Sequence, residues 1–165
     1  MKLLINHITA QFQNIHFGNN WFGQGYKVKL QDLAMEHRFE RPYPTIHAVA
    51  ELLAHSTAWR RDAILKIREG KGELTEASED DWRGLEKLKE KGWETIISEY
   101  LSSVEGLLEL LNLKDDEFLE THYHDPEFAG DFPYSFAING ILQHDIYHLG
   151  QMGLVVKMLK ERDNG

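Results

Sequence analysis

The 165-residue chain contains no cysteine. That excludes disulfides, thiolate metal ligands and a cysteine nucleophile, and it fits a cytoplasmic protein. No apolar run approaches the roughly 18 residues that a membrane span needs. The opening MKLLINHITAQF lacks a long apolar stretch followed by a small-residue cleavage site, so no signal peptide is expected. Positive charge is scarce as well: 18 Lys and Arg stand against 27 Asp and Glu, for a formal charge of −9. A net acidic chain without a basic stripe is a poor nucleic-acid binder and has no preference for anionic membranes. Strand patterns are few. GYKVKL alternates, but it is one short run with no partner.

Helical periodicity is plentiful. The spacing predicts a helix over 3–17, with Ile5, Ile8, Phe12 and Ile15 on one stripe, ended by GNNWFGQG. A short helical piece is expected at 30–37. A second long helix is expected over 46–68, after RPYPT, with Thr45 as N-cap. A third is expected over 78–112, where Ser78 and Asp81 resemble a capping box and Trp82, Leu85, Trp93, Ile97, Tyr100, Val104, Leu107 and Leu111 recur at helical steps. A fourth covers 135–162, and its last turns are rich in Lys and Arg. These elements predict an all-α fold, an antiparallel up-down four-helix bundle, formed by one domain over 1–165. The 113–134 connection is long for a bundle, and connections of that length are often functional.

Histidine is abundant, with nine in the chain. The fourth helix carries ILQHDIYHLGQM, in which His144 and His148 lie about 40° apart and share a sector with Ala137, Ile141, Met152, Val155 and Leu159. A buried imidazole is costly unless its nitrogens find partners. An HxxxH pair is one geometry for holding a metal ion; two core histidines satisfied by hydrogen bonds is the other reading. HExxH is absent, because residue 145 is Asp. In the second helix, His55 sits at the edge of the apolar side between Leu52 and Trp59, deeper in the segment than His47. Three neutral imidazoles from two helices would hold a divalent ion and leave a coordination position open.

These residues bring a family into view. GILQHDIYHLGQMGLVVKML resembles the C-terminal helix of the DinB-like superfamily, with its GxxxHxxYHxGQ run. HAVAELLAHSTAWRRDAILKIREG looks like that family's second helix, and GNNWFGQG is similar to the loop after its first. The resemblance implies a DinB/YfiT-like bundle with a metal held by His55, His144 and His148. It implies nickel, zinc or another divalent ion and, commonly, a homodimer. It also implies the chemistry of metal-dependent hydrolases or of thiol S-transferases, including bacillithiol S-transferases and mycothiol-dependent maleylpyruvate isomerases, acting on a small-molecule substrate.

Either chemistry uses one site. A metal-bound water acidified towards pKa ~7 serves hydrolysis. An external low-molecular-weight thiol, needed because the chain has none, would serve transfer. Gln151 shares the inward sector and is the candidate for orienting water or substrate. Glu51, one turn before His55, is a candidate acceptor for a ligand imidazole. Asp145 points away from the histidine sector, and Tyr147 flanks it. His122 and His124 read as a polar loop pair, and His7, His16 and His37 as surface or capping residues. Trp21, Phe22 and Tyr26 either cover the site mouth or plug the core. Gly150 and Gly153 would admit a close helix. Two other readings are a non-catalytic metal-binding stress or sensor module, and a bundle whose histidines serve packing alone.

Overall fold

The computed structural model describes residues 1–163. It is mostly helical. Helix α1 (Leu3–Phe17) is followed by a two-strand hairpin, β1 (Asn19–Asn20) and β2 (Gly23–Gln24), and by the short α2 (Tyr26–Gln31). Then come α3 (Val49–Glu69), α4 (Leu85–Lys91) and α5 (Trp93–Asn112). A single 3-10 turn (Glu117–Glu120) leads into an antiparallel hairpin, β3 (His122–Asp125) with β4 (Gly130–Pro133), and the chain ends in α6 (Tyr134–Asp163).

Helices α1 and α3 each pack against both α5 and α6, so the four long helices enclose one core. Ile5, Ile8, Phe12 and Ile15 of α1 are all buried, as their spacing predicts. Facing them are Leu53 of α3, Val104, Leu107 and Leu111 of α5, and Met152, Val155 and Leu159 of α6. Each fully buried side chain of this size contributes about 1.5–3 kcal/mol from water exclusion. Among the described residues, no helix is long and apolar enough to cross a membrane.

The helix ends show where local chemistry decides. The Asp116 carboxylate accepts the Leu3 and Ile5 N–H groups at 3.0 Å each, which caps α1 from the far side of the chain. Helix α3 starts at Val49 rather than at 46, with Ala48 and not Thr45 as its N-cap. Glu51 explains the shift: its Oε2 accepts the Ala48 N–H at 2.8 Å, while the same carboxylate pairs with Arg41. The predicted 78–112 helix is two helices. Gly92 at φ 83° breaks it, a left-handed conformation that favours glycine. Residues 78–84 are turn and irregular chain before α4. The short helix lies at Tyr26–Gln31, upstream of the expected 30–37, and it absorbs the alternating GYKVKL run.

The long connection is ordered by tethers to α3. Lys66 Nζ lies 2.9 Å from both Asp62 and Asp125, and Tyr134 donates its O–H to the Lys66 carbonyl at 2.8 Å. The β3 backbone also pairs with the residues after α3, through His124 N–H to the Gly70 carbonyl at 2.9 Å. The segment between α3 and α4 is held too, because Asp62 Oδ1 accepts the Glu73 and Leu74 N–H groups at 2.7 and 3.0 Å.

Candidate metal centre

Helices α3 and α6 bring His55, His144 and His148 together at one side of the core. Their Nε2 atoms converge: His144 lies 3.0 Å from His55 and 3.1 Å from His148. The three ligand atoms all fall within 4.8 Å of one another, which is the group suited to a metal among the described residues. His55 and His148 are buried, and His144 is half-buried.

The outward nitrogens decide what the inward ones can do. His55 donates its Nδ1–H to the Asp81 carbonyl at 2.8 Å, with the Asp81 carboxylate at 3.1 Å. His148 donates its Nδ1–H to Gln151 Oε1 at 2.7 Å. Each ring therefore carries its hydrogen on Nδ1 and presents a bare lone pair at Nε2. Both lone pairs face His144 Nε2, and a single N–H there aims at only one of them. A cation at the convergence point satisfies all three nitrogens. With Zn–N distances of about 2.0–2.1 Å, one ion spans nitrogens only slightly farther apart than these. The residues fit a divalent metal.

Burial favours the neutral form of all three imidazoles. It drives the His144 pKa down to about 3, helped by His148 and His55. It drives His148 down to about 4 and lowers His55 against the opposing pull of Asp81. Neutral imidazole is the form that binds metal. The same shifts set a pH dependence for metal-free protein. The unfolded chain takes up protons near the ordinary histidine value of about 6.5, while the folded one resists. Stability is thus complete above about pH 6.5 and falls as the pH drops toward the folded values of about 4 and 3. Urea unfolding of metal-stripped protein across that range reads this directly, and a midpoint independent of pH would contradict it.

Two supports of the site lie far from it in sequence. Trp82 is sandwiched between imidazoles, its ring centroid 3.8 Å from that of His55 and 3.9 Å from that of His47. Asp81, next to it, holds His55 and also accepts the Trp59 N–H at 2.7 Å. The spacing predicts a helix over both residues that does not form there, and no local signal marks them as supports. Glu51 does not touch His55; it caps α3 and pairs with Arg41 and His47.

Asp145 points away from the cluster, as expected, but into the core rather than toward solvent. It is fully buried and bonds the Arg60 guanidinium through both oxygens, at 2.6 and 3.3 Å. His16, expected at the surface, is fully buried behind it. Its Nε2–H donates to Asp145 at 3.1 Å, and its Nδ1 accepts the Tyr100 O–H at 2.7 Å. Burial alone would raise the Asp145 pKa, but Arg60 and His16 outweigh it and hold the carboxyl down to about 2. His37 is also buried rather than exposed, against Asp163 at 2.6 Å.

The remaining candidates stand apart from the histidines. His122 and His124 are exposed on strand β3, not in a loop, and His124 pairs with Asp131 at 3.0 Å. Trp21 and Phe22 are exposed at the first hairpin, whereas Tyr26 is buried and donates its O–H to the Asp145 carbonyl. Tyr147 is exposed, its ring edge-on to His148. Gly153 faces Lys29 of α2, whose Nζ a Cβ there would meet at 2.9 Å, while Gly150 faces open space.

The mostly helical fold thus carries a three-histidine cluster that could hold a metal ion. The model of the DinB superfamily matches residues 28–152, and the chain belongs to that superfamily. Comparison with curated proteins and with solved structures returns no match.

Proposed function

We propose that the protein is a metal-dependent enzyme of small-molecule chemistry, a hydrolase or a thiol S-transferase, with nickel or zinc held by His55, His144 and His148. The observation that carries this reading is the convergence of the three Nε2 atoms, two of them fixed as bare lone pairs. When bound, the ion supplies Lewis acidity and activates a water or an external thiol as nucleophile. Imidazole ligands suit nickel and zinc alike. In this reading the four long helices form the antiparallel up-down bundle. Asp81 fixes the tautomer and direction of His55, Gln151 does the same for His148, and Trp82 shields the His55 ring from solvent. The role of Gln151 is thus to position a ligand.

Gln151→Leu should weaken metal binding about 10–100-fold while leaving the fold intact, because the Nδ1 hydrogen of His148 loses its acceptor. A competition titration with a chromophoric chelator measures it. For the activity, protein loaded with Ni²⁺ or Zn²⁺ is assayed against ester substrates and against thiol–electrophile pairs. Turnover should require the metal and vanish in His144→Ala. Turnover that survives metal stripping would contradict the proposal.

A further inference from the structure

A hollow of about 590 Å³ is lined by α3 and residues 73–83 and by none of the three histidines. A smaller one of about 250 Å³ reaches His144 itself. Trp59, Phe128 and Phe136 form its walls, and Ala137, Gly140 and Ile141 line it along α6. Phe128 meets Phe136 edge-on with ring centroids 5.4 Å apart, and both rings are partly exposed, so they border an opening rather than fill a core. Gly140 stands one helical turn before His144, and a Cβ built there meets nothing within 4 Å.

The charges around this hollow are net negative. Lys66 is its single cation, and that ammonium is already committed to Asp62 and Asp125 at 2.9 Å each. Glu76 and Glu127 complete the rim, joined by the Glu76 N–H to Glu127 Oε2 at 2.9 Å. A carboxylate or phosphate entering here would meet uncompensated negative charge. A flat ring meets aromatic faces, and a cation beside it gains from both the rings and the acids.

We propose that this hollow is the substrate pocket of the histidine site and that it takes a compact aromatic group, neutral or cationic and not anionic. The assignment rests on the metal-enzyme reading for the word substrate, but its physical content is a binding preference that exists without metal.

The test uses three probes of one size: benzylamine, benzyl alcohol and benzoate. Ligand-observed NMR titration follows their binding to metal-free and to zinc-loaded protein. In metal-free protein, benzylamine and benzyl alcohol should bind roughly tenfold tighter than benzoate. Gly140→Leu fills the hollow and replaces a helical glycine with a better helix former. It should weaken both favoured probes by roughly tenfold while zinc stoichiometry and thermal stability are retained. Benzoate binding as tightly as the others in metal-free protein, no binding of any probe, or binding unchanged by Gly140→Leu would each overturn the proposal. Absence of zinc uptake beside intact, Gly140-dependent ring binding overturns the metal reading instead and leaves the pocket standing.

Discussion

Asp145→Ala should be the most damaging single change to stability. It strands the Arg60 guanidinium, fully buried, with Ser103 Oγ at 2.7 Å as its remaining side-chain partner. It also removes the acceptor for the His16 N–H. Breaking one side of a buried pair costs about 3–5 kcal/mol, because the other charge remains desolvated. For a chain of this size that corresponds to a fall of roughly 6–20 °C in Tm. The sign of a second experiment separates stranding from simple loss of contacts. Replacing both partners, as Arg60→Met with Asp145→Leu, removes the orphaned charge and should recover most of the loss. A double variant as unstable as the single one would mean that shape at this position, not charge, is what matters. Both are measured on metal-free protein, so that metal binding to the native state does not mask the change.

His148→Ala should have the largest effect on the site. It removes one of three converging nitrogens and leaves Gln151 without its donor. Loss of a partner that merely orients a ligand costs about 10–100-fold in metal affinity, so loss of the ligand itself should exceed roughly 100-fold. Stoichiometric binding should disappear. The helices should persist, because the packing of α6 rests on Ile138, Leu149, Met152, Val155 and Leu159, all buried. Far-ultraviolet circular dichroism beside a metal titration distinguishes the two outcomes. Retained stoichiometry would remove His148 from the ligand set.

Periodic features were legible in the sequence. The α1 bounds match the expected 3–17, and α6 extends the expected 135–162 by one residue at each end. Their apolar stripes run unbroken at helical spacing, so burial follows from the pattern. His144 and His148 were visible for the same reason, since two imidazoles on an apolar sector need a common explanation. What escaped depends on partners distant in sequence. Trp82 fits the α5 stripe by spacing but stacks on His55 from a turn, because Gly92 ends that register and the α3–α4 segment folds back over α3. His16 reads as a helix-terminal residue until Tyr100 and Asp145 enclose it. The β3–β4 hairpin has short strands without a long alternating pattern, and tethers to Lys66 and to the residues after α3 help to fix it. Within 32–48, no local pattern announces that Arg41 and Ala48 share the Glu51 carboxylate, which is what moves the start of α3.

The central claim is that His55, His144 and His148 form a metal site. Elemental analysis of protein purified without a histidine tag, beside the His55/His144/His148→Ala triple variant, tests it most directly. The account predicts about one nickel or zinc per wild-type chain and none in the variant. Wild-type protein that takes up no metal, even after incubation with Zn²⁺ or Ni²⁺, would contradict it and leave the three histidines to packing.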